Sequence, residues 1–251
     1  MTINLLKNYV YNLGKHMPLN CGNLGVASQY LLPINIIRKY TKQKKNKILD
    51  WGCGQGHISY LLLNENHDVQ SYAHQNDDVK PVQNAVENIL KKQWKLKQSD
   101  FSDPVGIPYP DESFDAVVSM GVLEHVRETG GNEESSLNEI YRILKPGGYF
   151  FCFHFPNKYS WIEALARKLK SAGANKFAHQ FLYTNKDILN LVKGKFKIKE
   201  IGLYNLLPRS MLRHFNWLDT KFGVWCYTTL EKILSFFFKK LSQNYYFVIQ
   251  K

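Results

Sequence analysis

The sequence has few cysteines, and they lie far apart. Cys21, Cys53, Cys152 and Cys226 form no Cys-x-x-Cys pair. A disulfide framework and a structural zinc site are therefore not expected, and no metal centre is predicted. Scattered free thiols are typical of a reducing compartment, so a cytoplasmic location is the expectation.

The sequence also lacks long apolar runs. No stretch of about 18 apolar residues occurs, and SFFFKKL is interrupted by Lys239 and Lys240. The opening MTINLLKNYVYNLGKH has no continuous apolar core, so no signal peptide is expected. Without repeats or a low-complexity linker, the 251 residues predict one domain over 1–251.

Acidic residues are scarce relative to basic ones. The chain has 33 Lys+Arg against 21 Asp+Glu, a net charge of +12. Such a charge suits a polyanionic partner. However, the basic residues are dispersed over RKYTKQKKNK, KKQWKLK, RKLKSAGANK and KGKFKIK, which indicates solvated faces more than a nucleic-acid track. Nucleic acid is therefore not the expected partner.

Strand-like and helix-like segments alternate along the chain, as a parallel α/β sheet requires. The predicted strands are KILDW (47–51), HDVQSYA (67–73), WKLKQSD (94–100), FDAVVSM (114–120), YFFCFHF (149–155), KIKEIGLY (197–204) and NYYFVIQK (244–251). Helix starts are predicted at Asp78, at a Ser136–Glu139 capping box and at Thr184–Asp187. Seven strands with helices on both faces are the predicted fold.

Three segments lie outside this alternation. They are an N-terminal helical cap (1–45) and two insertions (156–183 and 206–244) around a cofactor-binding half (46–155). In open α/β sheets the ligand lies beyond the carboxyl ends of the strands. We therefore expect these helical additions to cover a substrate there.

The stretch KILDWGCGQG places an acid, Asp50, directly before Gly52, Gly54 and Gly56. Glycines between a strand and a helix let the backbone approach a ligand at a helix N-terminus. The third glycine comes one residue too early for the dinucleotide pattern G-x-G-x-x-G, and the P-loop Gly-Lys-Ser/Thr is absent. Asp50 would repel phosphates and attract an ammonium group. The turn therefore favours a ligand with a cationic end.

D-x-G-C-G-x-G after a strand resembles the first motif of class I S-adenosylmethionine-dependent methyltransferases. QSDFSDPVGIPYPDESFDAVVSMGVLEHV resembles the middle region of that family, and EIYRILKPGGYFFCF resembles its following helix and fifth strand. The resemblance covers residues 45–155 closely. It is to the members of that family that act on small molecules and glycans. It implies a Rossmann-like sheet whose last strand, NYYFVIQK, is antiparallel, and S-adenosylmethionine as cofactor.

The resemblance also implies a set of cofactor contacts. Asp50 and the glycine turn would hold the amino-acid end, Asp100 would accept from the adenine amino group, and Met120 and Gly121 would line the floor. The implied set is Asp50, Gly52, Cys53, Gly54, Gly56, His74, Asp100, Phe101, Met120, Gly121 and His125.

The second strand departs from the family pattern. Ala73 stands where an acid usually binds both ribose hydroxyls. Losing charged hydrogen bonds of this kind costs on the order of 1.5–3 kcal/mol unless they are replaced. His74, Gln75 or Asn76 is the predicted replacement, and Asp77 is an alternative only if the strand is longer than predicted.

Transfer of a methyl group from a sulfonium requires mainly alignment, with a base where the acceptor is an alcohol or carbon acid. His154 and His179 are the predicted catalytic bases, with His125 nearer the cofactor. The hypothesis is in-line methyl transfer to a small-molecule, sugar or lipid-linked acceptor. A non-catalytic binding or scaffold protein, an RNA or DNA methyltransferase and, more distantly, a nicotinamide dehydrogenase are the alternatives.

A C-terminal segment, 222–241, has an apolar stripe at helical spacing. The stripe contains Phe222, Trp225, Cys226, Leu230, Ile233, Leu234, Phe237 and Leu241. Such a stripe usually packs against its own domain, which is the first interpretation. The alternative is a peripheral contact with an anionic membrane, because Lys232, Lys239 and Lys240 accompany it.

Overall fold

One sheet contains all seven predicted strands. The computed structural model describes residues 3–41, 44–100, 102–173, 178–209 and 212–251. Its strands are β1 Lys47–Trp51, β2 Asp68–His74, β3 Lys95–Ser99, β4 Phe114–Met120, β5 Leu144–Pro156, β6 Lys197–Tyr204 and β7 Asn244–Gln250. The order is β3-β2-β1-β4-β5-β7-β6, and β7 runs antiparallel to both of its neighbours. The predicted fold class is therefore confirmed, including the inserted last strand.

Helices precede the sheet and lie between its strands. They are α1 Ile3–Leu13, α2 Pro18–Cys21, α3 Leu24–Ala27, α4 Leu31–Thr41, α5 His57–Asn64, α6 Lys80–Asn88, α7 Glu133–Ile143, α8 Trp161–Ser171, α9 Asn185–Val192 and α10 Lys221–Phe238. A 3₁₀ segment, Leu123–Thr129, follows β4. Within the described ranges, none of the helices combines the length and apolarity that crossing a bilayer requires.

The central strands are apolar on both sides because each side of the sheet carries its own core. Ile48, Val118 and Phe151 belong to one buried cluster, under α4 and α5. Their neighbours in sequence, such as Leu49 and Phe150, belong to the other, with α7 and α9. Alternation of side chains along a strand produces this division.

The predicted helix starts have different outcomes. Thr184 and Asp187 form a reciprocal capping box at α9, as predicted. The Ser136–Glu139 capping box is wrong, because α7 begins at Glu133 with Asn132 as its cap. Ser136 is instead buried within the helix. The Asp78 carboxylate does accept from the Lys80 backbone N–H, although Val79 is the residue at the N-cap.

The N-terminal helices attach to the sheet through His57, the first residue of α5. The Tyr9 hydroxyl contacts its Nδ1, and the Asn20 amide donates to its Nε2 at 2.8 Å. The Tyr30 ring is stacked on the imidazole at 5.8 Å. Burial lowers the pKa of His57 to about 4, so the ring is neutral at pH 7. The cap therefore depends on a neutral imidazole.

Acidification should weaken this attachment. The pKa of His57 is about 6.5 in the unfolded chain and about 4 in the folded one. Between these two pH values the unfolded chain binds a proton that the folded chain does not, so the free energy of unfolding falls as the pH falls from 6.5 to 4. The stability difference between wild type and His57→Gln should narrow by about 2–3 kcal/mol from pH 7 to pH 4.5, as measured by urea unfolding. Tyr9→Phe, which leaves the imidazole buried, should retain the pH dependence. A difference that does not change with pH would contradict this account of the cap.

Candidate cofactor and acceptor site

The glycine turn after β1 has a left-handed backbone at all three glycines. A Cβ on Gly52 would lie 2.4 Å from a Val122 methyl group, and one on Gly56 would lie 2.5 Å from the Trp94 ring. Packing therefore requires glycine at these two positions. Gly54 differs, because a Cβ there would meet nothing within 4 Å. Gly54 is thus the glycine of the turn that faces open space.

Asp50 anchors the turn from below. It is 2% exposed, and its Oδ2 accepts from the Ser59 hydroxyl at 2.6 Å. Ser59 in turn contacts Ser71 at 2.7 Å, and Ser71 accepts from the Trp94 indole. Burial raises the pKa of Asp50 to about 6. This chain of hydrogen bonds joins β1, α5 and β2 directly beneath the turn.

Two cavities open at the carboxyl ends of the strands. The first, the apolar slot, has a volume of about 140 Å³ and is lined by Trp51, Tyr72, Pro104, Val105 and Val126. The second, the polar chamber, has a volume of about 390 Å³ and is lined by Glu124, His154, His179, Asn205 and Asn244. Gly121 and His125 line both. The cavities therefore meet at the end of β4.

The structure brings only some of the predicted cofactor residues to these cavities. Gly121 and His125 lie at the junction, and Met120, one residue earlier, is half-buried against the core. Asp100 is exposed, and its Oδ1 accepts from the Ser102 backbone N–H at 3.0 Å. Phe101 lies outside the described residues. The adenine contact assigned to Asp100 stays a prediction.

The end of β2 is occupied by a local turn. The His74 backbone N–H donates to Asp77 Oδ2 at 3.0 Å. The imidazole Nδ1 of His74 accepts from the Asn76 backbone N–H at 3.1 Å. Tyr72, two residues earlier in β2, lines the apolar slot and was missed by the sequence analysis. Successive side chains of a strand point to opposite faces, so Tyr72 lies on the opposite face of β2 from Ala73. That alternation was the signal that could have identified Tyr72.

His154 lies near the carboxyl end of β5 and lines the polar chamber. Its backbone is left-handed, at φ 66°, and its N–H donates to the Tyr204 hydroxyl at 2.8 Å. Such strain in a residue other than glycine persists where the surroundings hold it in place. Its Nε2 is buried without a hydrogen-bond partner among the described residues. Burial, with smaller effects of Arg209 and His179, lowers its pKa to about 4.

His179 is held by a buried carboxylate. Its Nδ1 lies 2.8 Å from Glu163 Oε1, and its backbone N–H donates to Glu163 Oε2. Gln243 donates to the same carboxylate at 3.1 Å. Although burial alone would raise the pKa of Glu163, the hydrogen bonds from His179 and Gln243 hold it below its ordinary value. The ring of His125 is stacked on that of His179 at 5.5 Å.

Glu124 is a site residue that the sequence analysis missed. It follows β4 in the segment LEHV, is 3% exposed and lines the polar chamber. Burial raises its pKa to about 8. The available signal is the position of Glu124 in the motif L-E-H, directly before the predicted His125.

All three additions to the sheet contribute walls to the polar chamber. Asn20 and Gln29 come from the N-terminal segment, Ile162 from the first insertion and Pro208 from the second. Arg209 fixes the second insertion, because its guanidinium donates to Glu231 at 2.6 Å, to Ser28 at 2.8 Å and to Asn205 at 2.7 Å.

The apolar stripe of α10 does not pack against the domain. Of its members, Phe222, Trp225 and Phe237 are 71%, 58% and 70% exposed. The helix instead packs through a different face, of which Val224, Tyr227 and Glu231 are buried. The packing interpretation of the stripe is therefore wrong, because the face that contacts the domain is the one containing Glu231, the partner of Arg209.

Comparison with known proteins agrees with this geometry. Residues 49–152 match a family described as methyltransferase domain. The ubiquinone/menaquinone biosynthesis C-methyltransferase UbiE of Bartonella bacilliformis is 30% identical over 120 residues, 44% of this chain and 42% of that protein. The tRNA N(3)-cytidine methyltransferase METTL2 of Gallus gallus is 24% identical over 74% of this chain and 51% of that protein.

Solved structures share the fold. Magnesium protoporphyrin IX methyltransferase from Synechocystis PCC 6803, solved with bound S-adenosylhomocysteine (SAH), superposes with a TM-score of 0.59 at 12% identity, over 91% of this chain and 84% of that one. The chain spans less than half the length of the UbiE relative. Residues 49–152 thus resemble a methyltransferase domain, and this match agrees with the family and the cofactor class that the sequence predicts.

Gly54→Ala should impair cofactor binding more than folding. The new Cβ would enter the open space at the turn, which the cofactor is expected to fill. An extra methyl group in a well-packed contact typically costs 1–3 kcal/mol, so SAH affinity should fall by about tenfold or more. Gly194→Ala is the matched control, since Gly194 also has a left-handed backbone and nothing within 4 Å but lies between α9 and β6.

Both variants should lose about 1–2 kcal/mol of stability from the left-handed backbone. Only Gly54→Ala should lose SAH affinity, measured by calorimetry. Equal SAH affinity in the two variants would show that Gly54 does not face the cofactor.

Proposed function

We propose that this protein transfers a methyl group from S-adenosylmethionine to a small-molecule, sugar or lipid-linked acceptor. The observation that carries the proposal is the junction of the apolar slot and the polar chamber at Gly121 and His125. A cofactor with a flat apolar base at one end and a reactive centre further along suits two cavities of this kind. The acceptor would enter from the polar side.

The residues present fit the cofactor on two observations. Gly54 is a left-handed glycine with open space where a Cβ would stand, and a Cβ on the left-handed Gly121 would meet Glu124 Oε1 at 3.8 Å, an ordinary contact distance. Trp51, Tyr72 and Val126 provide an apolar surface for the base. We infer that the slot holds the adenine and that the turn at Gly54 holds the amino-acid end. When bound, the cofactor supplies an electrophilic methyl group on a positively charged sulfur.

His154 is the proposed catalytic base. Its lowered pKa keeps the imidazole neutral at pH 7, and its buried Nε2 belongs to a residue that lines the polar chamber. A neutral imidazole can accept the acceptor's proton. His179, fixed by Glu163, is the second proposed group. The left-handed backbone of His154 and the Glu163 carboxylate on His179 hold the two imidazoles in place, which supports a catalytic role for both.

The chamber favours a small acceptor group. Its volume, about 390 Å³, is in the range of small-molecule sites. The UbiE relative is a biosynthetic C-methyltransferase, which agrees with a small acceptor. METTL2 acts on tRNA, and its match extends over more of this chain, so tRNA is the rival acceptor.

A lipid-linked acceptor is supported by the surroundings of α10. A groove of about 730 Å³ beside the helix is lined by Leu31, Leu32, Leu203, Lys232, Phe236 and Lys239. Arg209 lines both this groove and the polar chamber. We infer that the exposed aromatic face of α10 rests on an anionic membrane, with its lysines near the headgroups.

Labelled methyl transfer tests the acceptor class. The protein is incubated with tritiated S-adenosylmethionine and, separately, quinols, hydroxylated sugars, prenyl-linked sugars and total tRNA. Label should enter one of the first three and not tRNA. Label confined to tRNA would contradict the acceptor proposal, and tight SAH binding without any transfer would favour a non-catalytic protein.

The same assay tests the base. His154→Gln should lower kcat by about 10²–10⁴-fold, because proton removal is lost while the cofactor site is untouched. SAH affinity should stay within about twofold, since His154 does not line the apolar slot. His16→Gln, which removes an exposed histidine, is the control. An unchanged kcat in His154→Gln would exclude His154 as the base.

Vesicle flotation tests the membrane contact. The wild type should float with vesicles of equal phosphatidylcholine and phosphatidylglycerol at low salt, and less at high salt. The triple variant Phe222→Ser, Phe236→Ser and Phe237→Ser should lose most of this binding. Leu189→Ser, on α9 against the opposite face of the sheet, is the control for loss of an exposed apolar side chain. Equal flotation of the triple variant would contradict the contact.

A further inference from the structure

The polar chamber contains a buried carboxyl group, that of Glu124, which has no hydrogen-bond partner on one oxygen among the described residues. Glu124 is 3% exposed, and that oxygen is its Oε2. A buried, unpaired carboxylate is costly, and an unsatisfied group of this kind in a native structure indicates a missing partner such as water or an ion. Since Glu124 lines the chamber, that partner would lie in the chamber.

Two histidines converge on the same point. Glu124, His125 and His179 each offer one donor atom, and the three atoms lie within 4.8 Å of one another. Glu124 and His125 come from the 3₁₀ segment after β4, whereas His179 comes from the first insertion. Two imidazoles and one carboxylate are a donor set that binds divalent transition metals with positions left open for other ligands.

Each histidine has a carboxylate on its Nδ1. Glu163 Oε1 lies 2.8 Å from His179 Nδ1, and Glu128 Oε1 lies 3.1 Å from His125 Nδ1. Histidines that ligate a metal generally donate their other ring N–H to a carboxylate or carbonyl, which fixes the ring and strengthens the ligand. Glu163 is itself buried and is held by Gln243, so His179 is rigidly placed.

The local charge leaves room for a cation. Glu163 and Glu128 each place a carboxylate against one of the two rings, and Glu124 adds a third carboxyl group. The nearby guanidinium groups have other partners, because Arg209 pairs with Glu231 at 2.6 Å and Arg127 with Glu133 at 2.7 Å. A divalent ion would therefore balance negative charge that neither arginine neutralises.

We propose that Glu124, His125 and His179 bind one divalent transition-metal ion that is open to the polar chamber. Chain topology explains why the sequence gives no sign of the site: α7, β5 and α8 separate His179 from L-E-H, and the first insertion brings it back to that motif. The site contains no cysteine, so the scarcity of cysteines does not argue against it.

The role of the ion rests on the proposed function. An acceptor hydroxyl that occupies an open position on the ion would lose its proton to Nε2 of His154. The oxygen would then form a bond to the methyl carbon while the carbon–sulfur bond breaks, with its electron pair left on sulfur. The acceptor class is thus an oxygen nucleophile, such as a phenol, a sugar hydroxyl or a quinol.

Metal titration tests the site without any methyl acceptor. Tag-free protein, freed of metal by a chelator and dialysed, is titrated with Zn²⁺, Mn²⁺ or Co²⁺ by calorimetry, with the Co²⁺ absorption spectrum as a second readout. One ion per chain should bind, and Glu163→Gln should weaken binding by about 10- to 100-fold because it no longer fixes His179. Glu124→Gln and His179→Gln, which remove a ligand, should each weaken binding more than Glu163→Gln does. His16→Gln is the matched control.

The outcomes separate this proposal from the proposed function. SAH binding measured on the same samples establishes that each variant is folded. Wild type that binds SAH but none of the three ions would overturn the metal site and leave methyl transfer intact. Metal binding that is equal in wild type, Glu124→Gln and His179→Gln would also overturn it. Binding that depends on Glu124 without any SAH binding would support the metal site and contradict the methyltransferase proposal.

Discussion

The position of β1 in the sheet is the constraint on which the site depends. In the order β3-β2-β1-β4-β5-β7-β6, the chain leaves β1 toward one side and returns through β4 on the other. The connections that follow β1 and β4 therefore diverge, and a crevice remains between them at the carboxyl ends of the strands. The glycine turn at Gly54 and the left-handed Gly121 lie at these two strand ends. The two cavities meet at the second of these strand ends, beside Gly121.

Parts of the chain that are distant in sequence close this crevice. His57 attaches the N-terminal helices to the start of α5, and Arg209 joins the second insertion to Ser28 and to α10 through Glu231. Each attachment is a buried polar contact, and such contacts are stable only when every member is satisfied. The chamber walls thus depend on a few specific hydrogen bonds. This gives the additions a fixed geometry over a conserved type of sheet and explains how one fold accommodates different acceptors.

The sequence predicts the sheet well because its signals are local. Apolar runs bounded by turn residues place β1, β4 and β6 at their observed positions, and the acid-glycine pattern after β1 agrees with the methyltransferase-domain match of residues 49–152. Signals that depend on tertiary contacts fail. Ser136 has the spacing of a capping residue, but Asn132 takes that role because the helix begins one turn earlier. The pairing of Glu163 with His179 bridges an insertion, and no periodic pattern encodes it.

The exposed stripe of α10 shows the same limit. Helical spacing identifies an apolar face, but the face that meets the domain is the one with Val224, Tyr227 and Glu231. Glu231 forms an ion pair with Arg209 of the second insertion. A tertiary contact of this kind leaves no periodic pattern in the sequence of the helix.

A crystal structure of the complex with SAH tests the central claim most directly. The account predicts the adenine in the apolar slot beside Tyr72, the amino-acid end at the Gly54 turn and the sulfur at the junction formed by Gly121 and His125, directed toward His154. An empty slot, or a sulfur atom that is separated from the polar chamber, would contradict the account.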